Sequence, residues 1–314
     1  MPLYTPVPTN DPDLHQQKEL SDVPDDQFEK YFEAKKPGLI LRIYRFACFI
    51  LFLGPIRFIL TLFFLFIFYV GCSILPSFKQ FFKTERAFKD WAQKILYPSI
   101  RGGLFCLGIL HIKTTGSLKY DTRTIVVNHL TMIDIITVIS QFDASFLSMS
   151  SLENVHFFKK TRQIFGLIFV NRSKSSGTTA EIQKIQNDPS VQPIVIFPEG
   201  KVTNGDALLG FRSGAFVNDT PIQPMTLRYN HWLCPKNMAT IAWNEWNTLL
   251  YIYQLFSIPF MTLEIDILPQ IIYKGNDKSP SERAAEVELL MANSLGCLAL
   301  HKTNKEYFTK QKDE

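Results

Sequence analysis

Between Phe46 and Leu75 the chain is apolar apart from one charge, Arg57, and one turn-forming pair, Gly54-Pro55. Phe58 to Leu75 alone supplies about 18 uncharged residues, the lower limit for a helix that crosses a bilayer. Phe46 to Leu53 is too short to cross. Basic residues flank both ends: Lys35, Lys36, Arg42 and Arg45 before, then Lys79, Lys83, Arg86 and Lys89 after. The positive-inside rule places both flanks in the cytosol. A hairpin that dips into the membrane and returns at Gly54-Pro55 meets this condition, whereas a single crossing does not. The competing reading is a buried helix pair of a soluble domain. The dense run Phe63, Phe64, Phe66 and Phe68 argues against it.

The rest of the chain is ordinary in charge. It has 314 residues, a net charge of +4 and 46% hydrophobic residues, with 27 Phe, much of it before residue 82. That length suits one large domain or two small ones. No run of Lys and Arg interleaves with aromatics on one face, so nucleic acid is not an expected partner. The five cysteines, Cys48, Cys72, Cys106, Cys234 and Cys297, are widely spaced and mostly within apolar runs. This pattern fits buried thiols in a reducing compartment. No pair has zinc-ligand spacing, and no metal site is expected.

Residues 1–38 are polar and rich in proline. They read as a mostly disordered arm with a short helix near residues 27–34. The front is neither basic nor apolar, so no signal peptide is expected. The hairpin then occupies residues 39–80, a folded domain residues 81–300 and a polar tail residues 301–314. Within the domain, β-type runs fall at residues 110–115, 125–128, 146–149, 168–171, 194–197, 222–229 and 263–268. Helical stretches fall at residues 133–142, 155–165, 178–187, 246–256 and 282–298. Such alternation predicts an α/β domain with a mixed, largely parallel sheet flanked by helices.

Three strand ends carry residues suited to chemistry. The first is Ile125-Val-Val-Asn128-His129, followed by Asp134. On one regular helix, residues five apart lie ~140° apart around the axis, which would separate the pair. The two meet only if His129 sits in the turn after the strand and Asp134 in the first turn of the next helix. There Asp134 would orient a His base. The alternative is a satisfied polar His and a helix-start Asp. The second end is Gly166-Leu-Ile-Phe-Val-Asn-Arg172, where Arg172 is either a phosphate clamp or a solvated charge. The third is Ile194-Val-Ile-Phe-Pro-Glu199-Gly200-Lys-Val-Thr203. Here Glu199 stands at the C-terminal end of a strand, where ligands of open α/β sheets bind. Gly200-Lys201 does not open a phosphate loop, because Val202 and Val195 stand where that loop needs Ser or Thr and Gly. A Gly-x-Ser-x-Gly elbow is also absent.

In this order, and behind an apolar hairpin, the motifs resemble the glycerolipid acyltransferase family, which includes the lysophosphatidic acid acyltransferases. Asn128, His129 and Asp134 match its Asn-His-x4-Asp motif. Gly166, Phe169 and Arg172 match the second motif, Phe197, Pro198, Glu199, Gly200 and Thr203 the third, and Pro221, Ile222 and Pro224 the fourth. The resemblance covers about residues 86–298. Thr203-Asn204, Gly214-Ala-Phe216, Ile222-Gln-Pro224 and Arg228-Tyr229 are similar to the lysophosphatidylcholine and lysophosphatidylethanolamine acyltransferase branch. Lys201 departs from that branch, which often has Thr there.

The resemblance implies a glycerolphosphate acyltransferase-like fold and acyl transfer from acyl-CoA, as co-substrate, to a lysophospholipid. No cofactor or metal is implied. His129 would be the base and Asp134 its orienting partner. Arg172 would hold the acceptor phosphate, while Asn128, Glu199, Gly200, Thr203 and Pro224 shape the substrate site. Backbone N–H groups near Gly200 would meet the oxyanion. The bilayer is an expected partner. Lys310 and Lys312 resemble a retrieval signal of the endoplasmic reticulum, so the expected location is that membrane with the domain facing the cytosol, or a lipid droplet. The competing functions are acylation of 1-acylglycerol 3-phosphate or glycerol 3-phosphate, a non-catalytic membrane or droplet protein, and a membrane hydrolase.

Overall fold

The computed structural model describes residues 25–33, 36–150, 153–170, 175–188, 191–235, 238–243, 247–275 and 278–303. All seven expected β-runs are strands of one sheet: β1 (Ile109–Thr115), β2 (Thr124–Val127), β3 (Ser145–Met149), β4 (Leu167–Val170), β5 (Ile194–Ile196), β7 (Ile222–Trp232) and β8 (Phe260–Ile267). Their order is β1-β8-β7-β2-β5-β3-β4. Every neighbouring pair is parallel except β7 with β8. The two central strands β2 and β5 are buried along their whole length. Covered on both faces, they read as unbroken β-branched runs rather than as alternation.

The helices of the domain are α5 (Ile133–Gln141), α6 (His156–Phe165), α7 (Ser175–Asn187), α8 (Thr248–Ser257) and α9 (Pro280–Leu295). The last begins with a capping box, in which Ser279 and Glu282 satisfy each other's backbone N–H, and ends at Gly296 with φ 67°. A second, two-stranded sheet pairs β6 (Ala207–Leu208) with β9 (Leu298–Ala299). These strands are too short for periodicity to show in the sequence.

Ahead of the domain, α1 (Asp25–Phe28) runs into a 3-10 turn, Glu29–Tyr31. Phe28 and Tyr31 form a small apolar cluster with Ala207, Leu209 and Leu300. Asn204 fixes the segment by donating from Nδ2 to the Lys30 carbonyl (2.7 Å) and from its backbone N–H to the Tyr31 carbonyl (2.8 Å). This part of the arm is therefore docked. Residues 1–24 and 34–35 of the arm, and Lys310 and Lys312 of the tail, lie outside the described residues.

The apolar stretch forms two helices, α2 (Leu39–Leu51) and α3 (Gly54–Ile74). The break between them uses Leu53 in the left-handed region (φ 55°, ψ 39°), with Pro55 in the first turn of α3. At 1.5 Å per residue α3 is about 31 Å long, the thickness of a hydrocarbon core. Helix α3 together with the following turn is long and apolar enough to cross a membrane, and only 11% of its most apolar window is buried. The single charge has a structural role. Arg57 donates to the carbonyls of Cys106 (2.8 Å) and Ile258 (3.0 Å). These lie at the C-terminal ends of α4 (Glu85–Cys106) and α8, where helices carry unpaired carbonyls and negative dipole ends.

Candidate active site

Strands β2, β5 and β7 run parallel, so the turns after β2 and β5 leave the sheet at the same edge. The chain moves from β2 outward to β3 and β4, returns through β5 and then crosses to β7. The C-terminal end of β2 thus lies where the strand order reverses, the usual ligand crevice of open α/β sheets.

Asn128 fastens the end of β2. Its side chain accepts from the Leu227 N–H (2.7 Å) and donates to the Leu227 carbonyl (3.1 Å). His129 follows in the turn, and Asp134 lies in the first turn of α5. The His129 Nδ1 to Asp134 Oδ2 distance is 3.0 Å. The same oxygen accepts from the backbone N–H groups of Leu130 (2.7 Å) and Thr131 (2.9 Å). Oδ1 accepts from the Tyr229 hydroxyl (2.7 Å). Four donors therefore converge on one fully buried carboxylate. Because Asp134 accepts from all its neighbours, Nδ1 of His129 carries a hydrogen and Nε2 is left as the proton acceptor. The imidazole stacks on Phe197 with centroids 4.4 Å apart.

Tyr229 and Tyr251 line the back of this turn; the sequence marked Tyr229 only within the Arg228-Tyr229 pair and gave it no contact with Asp134, and it did not mark Tyr251. Burial, then the neighbouring Asp134 charge, hold the Tyr229 hydroxyl far above the ordinary phenol range, so it remains a donor. The Tyr251 hydroxyl bonds Thr131 Oγ1 (2.9 Å) and the Ile241 carbonyl (3.1 Å). Nothing in the local sequence pattern of either tyrosine points to Asp134.

Glu199 follows β5. Its Oε1 accepts from the His129 backbone N–H (2.8 Å) and its Oε2 from the Leu209 N–H (3.2 Å). Burial pushes its carboxyl up to about 8, against the pull of these two N–H groups. The carboxyl thus braces the His129 turn through its backbone. Gly200 has φ 67°, and a Cβ there would fall 2.7 Å from Cζ of Arg212. Its N–H is committed to the Phe197 carbonyl (3.1 Å), so this amide is not the open oxyanion donor expected near Gly200.

Thr203 is buried, with Oγ1 bonded to the Ala207 carbonyl (3.3 Å). Pro224 lies within β7 opposite Val126. Asn128, Glu199, Thr203 and Pro224 are all buried against the protein, so their side chains position the site rather than present themselves to a ligand. Arg172 lies outside the described residues, two positions after β4. Arg212, absent from the sequence expectations, brings a guanidinium to Gly200, and its backbone N–H holds the Pro198 carbonyl (3.1 Å). A cavity of about 280 Å³ opens among Asp90, Lys94, Tyr97, Gln141 and Asp143. It lies at the far end of α5 from Asp134 and is not part of this site.

The acyltransferase family model matches residues 114–228, which hold the His129–Asp134 pair, Glu199 and Arg212 but neither Tyr229 nor Tyr251. Lysophospholipid acyltransferase LPEAT1 of Arabidopsis thaliana is 30% identical over 177 residues, covering 54% of this chain and 43% of that protein. Lysophosphatidylcholine acyltransferase 2B of Rattus norvegicus is 28% identical over 273 residues, covering 81% and 51%. The crystal structure of the 1-acyl-sn-glycerophosphate acyltransferase PlsC from Thermotoga maritima superposes with a TM-score of 0.56 at 15% identity, over 76% of this chain and 95% of that one. This likeness establishes a shared fold. The chain spans about half the length of the curated relatives it matches.

Proposed function

Because this chain carries an acyltransferase-family domain over residues 114–228, we propose that it transfers a fatty acyl group from acyl-CoA to the free hydroxyl of a lysophospholipid. The acceptor class is of the lysophosphatidylcholine or lysophosphatidylethanolamine type, in phospholipid synthesis or remodelling. Relatives named as a lysophospholipid acyltransferase and a lysophosphatidylcholine acyltransferase support a lysophospholipid acceptor. The observation that carries the reading is the 3.0 Å His129–Asp134 contact at the strand-order reversal, with Nε2 left to take a proton.

A thioester is already an activated acyl donor, so no enzyme nucleophile is needed. The acceptor hydroxyl attacks the thioester carbonyl while His129 Nε2 takes its proton. The new C–O bond forms and the carbon passes through a tetrahedral oxyanion. The C–S bond then breaks, and the departing CoA sulfur takes the proton back from the imidazolium. Asp134 holds the tautomer and stabilises the transient cation. Such base catalysis is typically worth ~10²–10⁴ in rate. Arg172 holds the acceptor phosphate, and Arg212 adds a second guanidinium beside Gly200.

The hairpin α2–α3 sits in the membrane that contains the acceptor, with both flanks in the cytosol where CoA is found. The endoplasmic reticulum is the proposed location. Membranes carrying the chain are to be assayed with labelled acyl-CoA and a panel of lysophospholipids. Transfer to a choline or ethanolamine acceptor is expected, falling at least ~10²-fold in His129→Ala. Equal transfer by both proteins would remove the proposed mechanism.

A further inference from the structure

The apolar surface does not stop at the hairpin. Helix α2 points Leu39, Ile40, Ile43, Phe46, Ile50 and Leu51 outward, as expected for a membrane helix. Its other side lies on α8, where Phe49 meets Tyr253 edge to face at 5.1 Å and the Arg45 guanidinium lies 4.9 Å from the same ring. Leu249 precedes Tyr253 by four residues and so shares its face. That face emerges from under α2 at the first turn of α8, where Leu249 is 76% and Leu250 49% exposed.

Leu233 extends the patch on the other flank. It stands just beyond β7, 58% exposed, and its carbonyl accepts from the Tyr44 hydroxyl of α2 (3.1 Å). Trp243 joins the patch to the chemistry. Its indole is partly open and stacks on Tyr251 (5.0 Å, 11°), while the Trp243 backbone N–H donates to the Leu130 carbonyl (2.8 Å). Leu130 is the residue after His129, and Tyr251 bonds Thr131 of the same turn. Contiguous exposed apolar surface of this kind marks an interaction site. A Trp at its inner margin suits the boundary between hydrocarbon and headgroups.

We propose that Leu233, Trp243, Leu249 and Leu250 form a second bilayer-contacting surface, continuous with α2, that seats the His129 turn at the level of the phospholipid headgroups. A lysophospholipid then reaches the imidazole laterally, without leaving the membrane. The occupant is the phospholipid bilayer. Continuity with the apolar face of α2 selects it over a second copy of the chain. This inference rests on the proposed membrane insertion of the hairpin.

The test uses the full chain in phosphatidylcholine vesicles whose acyl chains carry bromine. Trp91, Trp232 and Trp246 are replaced by Phe, leaving Trp243 as the single indole. Its emission should be quenched roughly twofold or more relative to unbrominated vesicles. A parallel reporter, Phe63→Trp in a chain with all four tryptophans replaced by Phe, reads the hairpin alone. Quenching at position 63 without quenching at Trp243 overturns the second surface and leaves the hairpin reading intact. Absence of quenching at both overturns the two together. Neither signal depends on catalysis, so a failure of the acyl-transfer reading is seen separately. A second measurement follows function. Leu249→Asp with Leu250→Asp should raise KM for a vesicle-borne lysophospholipid on the order of tenfold. The rate on a short-chain, water-soluble acceptor should hold. Unchanged KM for the vesicle-borne acceptor overturns the proposal, as does protection of Trp243 by self-association in place of lipid.

Discussion

Removing the Tyr229 hydroxyl would leave Asp134 with three donors instead of four. A hydrogen bond to a charged group contributes roughly 1.5–3 kcal/mol, and this one is fully buried. Tyr229→Phe should therefore lower stability by about that amount, measured by chemical denaturation in detergent. Transfer should fall less than in His129→Ala, because the imidazole keeps its carboxylate. Glu199 makes a pH prediction. Its folded value of about 8 lies above the ordinary carboxyl value of 4.5, so the folded chain binds this proton more tightly than the unfolded chain. The contribution is complete below pH 4.5 and is lost as pH rises toward 8. Across that window the group should erode stability by up to ~1.4 kcal/mol per pH unit. Glu199→Gln should flatten the slope, and denaturation midpoints at several pH values would read it. Gln offers one carbonyl oxygen where Glu199 uses two, so one of the two backbone N–H groups loses its partner.

Arg57 shows how an element can depend on one charge. With Ala at this position, carbonyls at the ends of α4 and α8 lose their buried donor. Arg57→Ala should cost roughly 2–5 kcal/mol and open the α3–α4 contact to limited proteolysis, while Arg57→Lys recovers only part of the loss. The sequence shows this residue only as an interruption in an apolar run. The strands were more legible. The β-branched runs of β2 and β5 announce buried parallel strands, and the five-residue His129–Asp134 spacing permits contact only across a turn. The break between α2 and α3 was less legible, since Gly54-Pro55 marks its place while Leu53 adopts the left-handed conformation. Strands β6 and β9 carry no pattern because two residues cannot show one. The short helix expected near residues 27–34 is a single α-turn, Asp25–Phe28, running into the 3-10 turn Glu29–Tyr31, and its docking on residues 204–209 had no local signal. Tyr229 and Arg212 come to the site from distant strands and loops, and no local spacing encodes that meeting.

At the scale of the molecule, the site is braced through the chain's two ends. Residues 25–33 and 298–300 both press on the segment 203–209, which supplies the Leu209 N–H to Glu199. A chain lacking residues 1–33 should retain the main sheet. Its Leu209 amide should exchange hydrogen at least roughly tenfold faster, read by mass spectrometry, and transfer should fall with it. Unchanged exchange at Leu209 would show that the docked segment does not hold this loop.

The pairing of β6 with β9 also sets an order of events at the ribosome. Leu208 and its neighbours emerge some ninety residues before their partners, so the segment that offers the Leu209 N–H to Glu199 lacks its paired strand until residues 298–300 arrive, when the Leu300 N–H reaches the Leu208 carbonyl. A nascent polypeptide halted short of that point already carries every residue proposed for chemistry, yet it is not assembled to perform it. The proposed chemistry thus waits on a strand pair that never touches the imidazole.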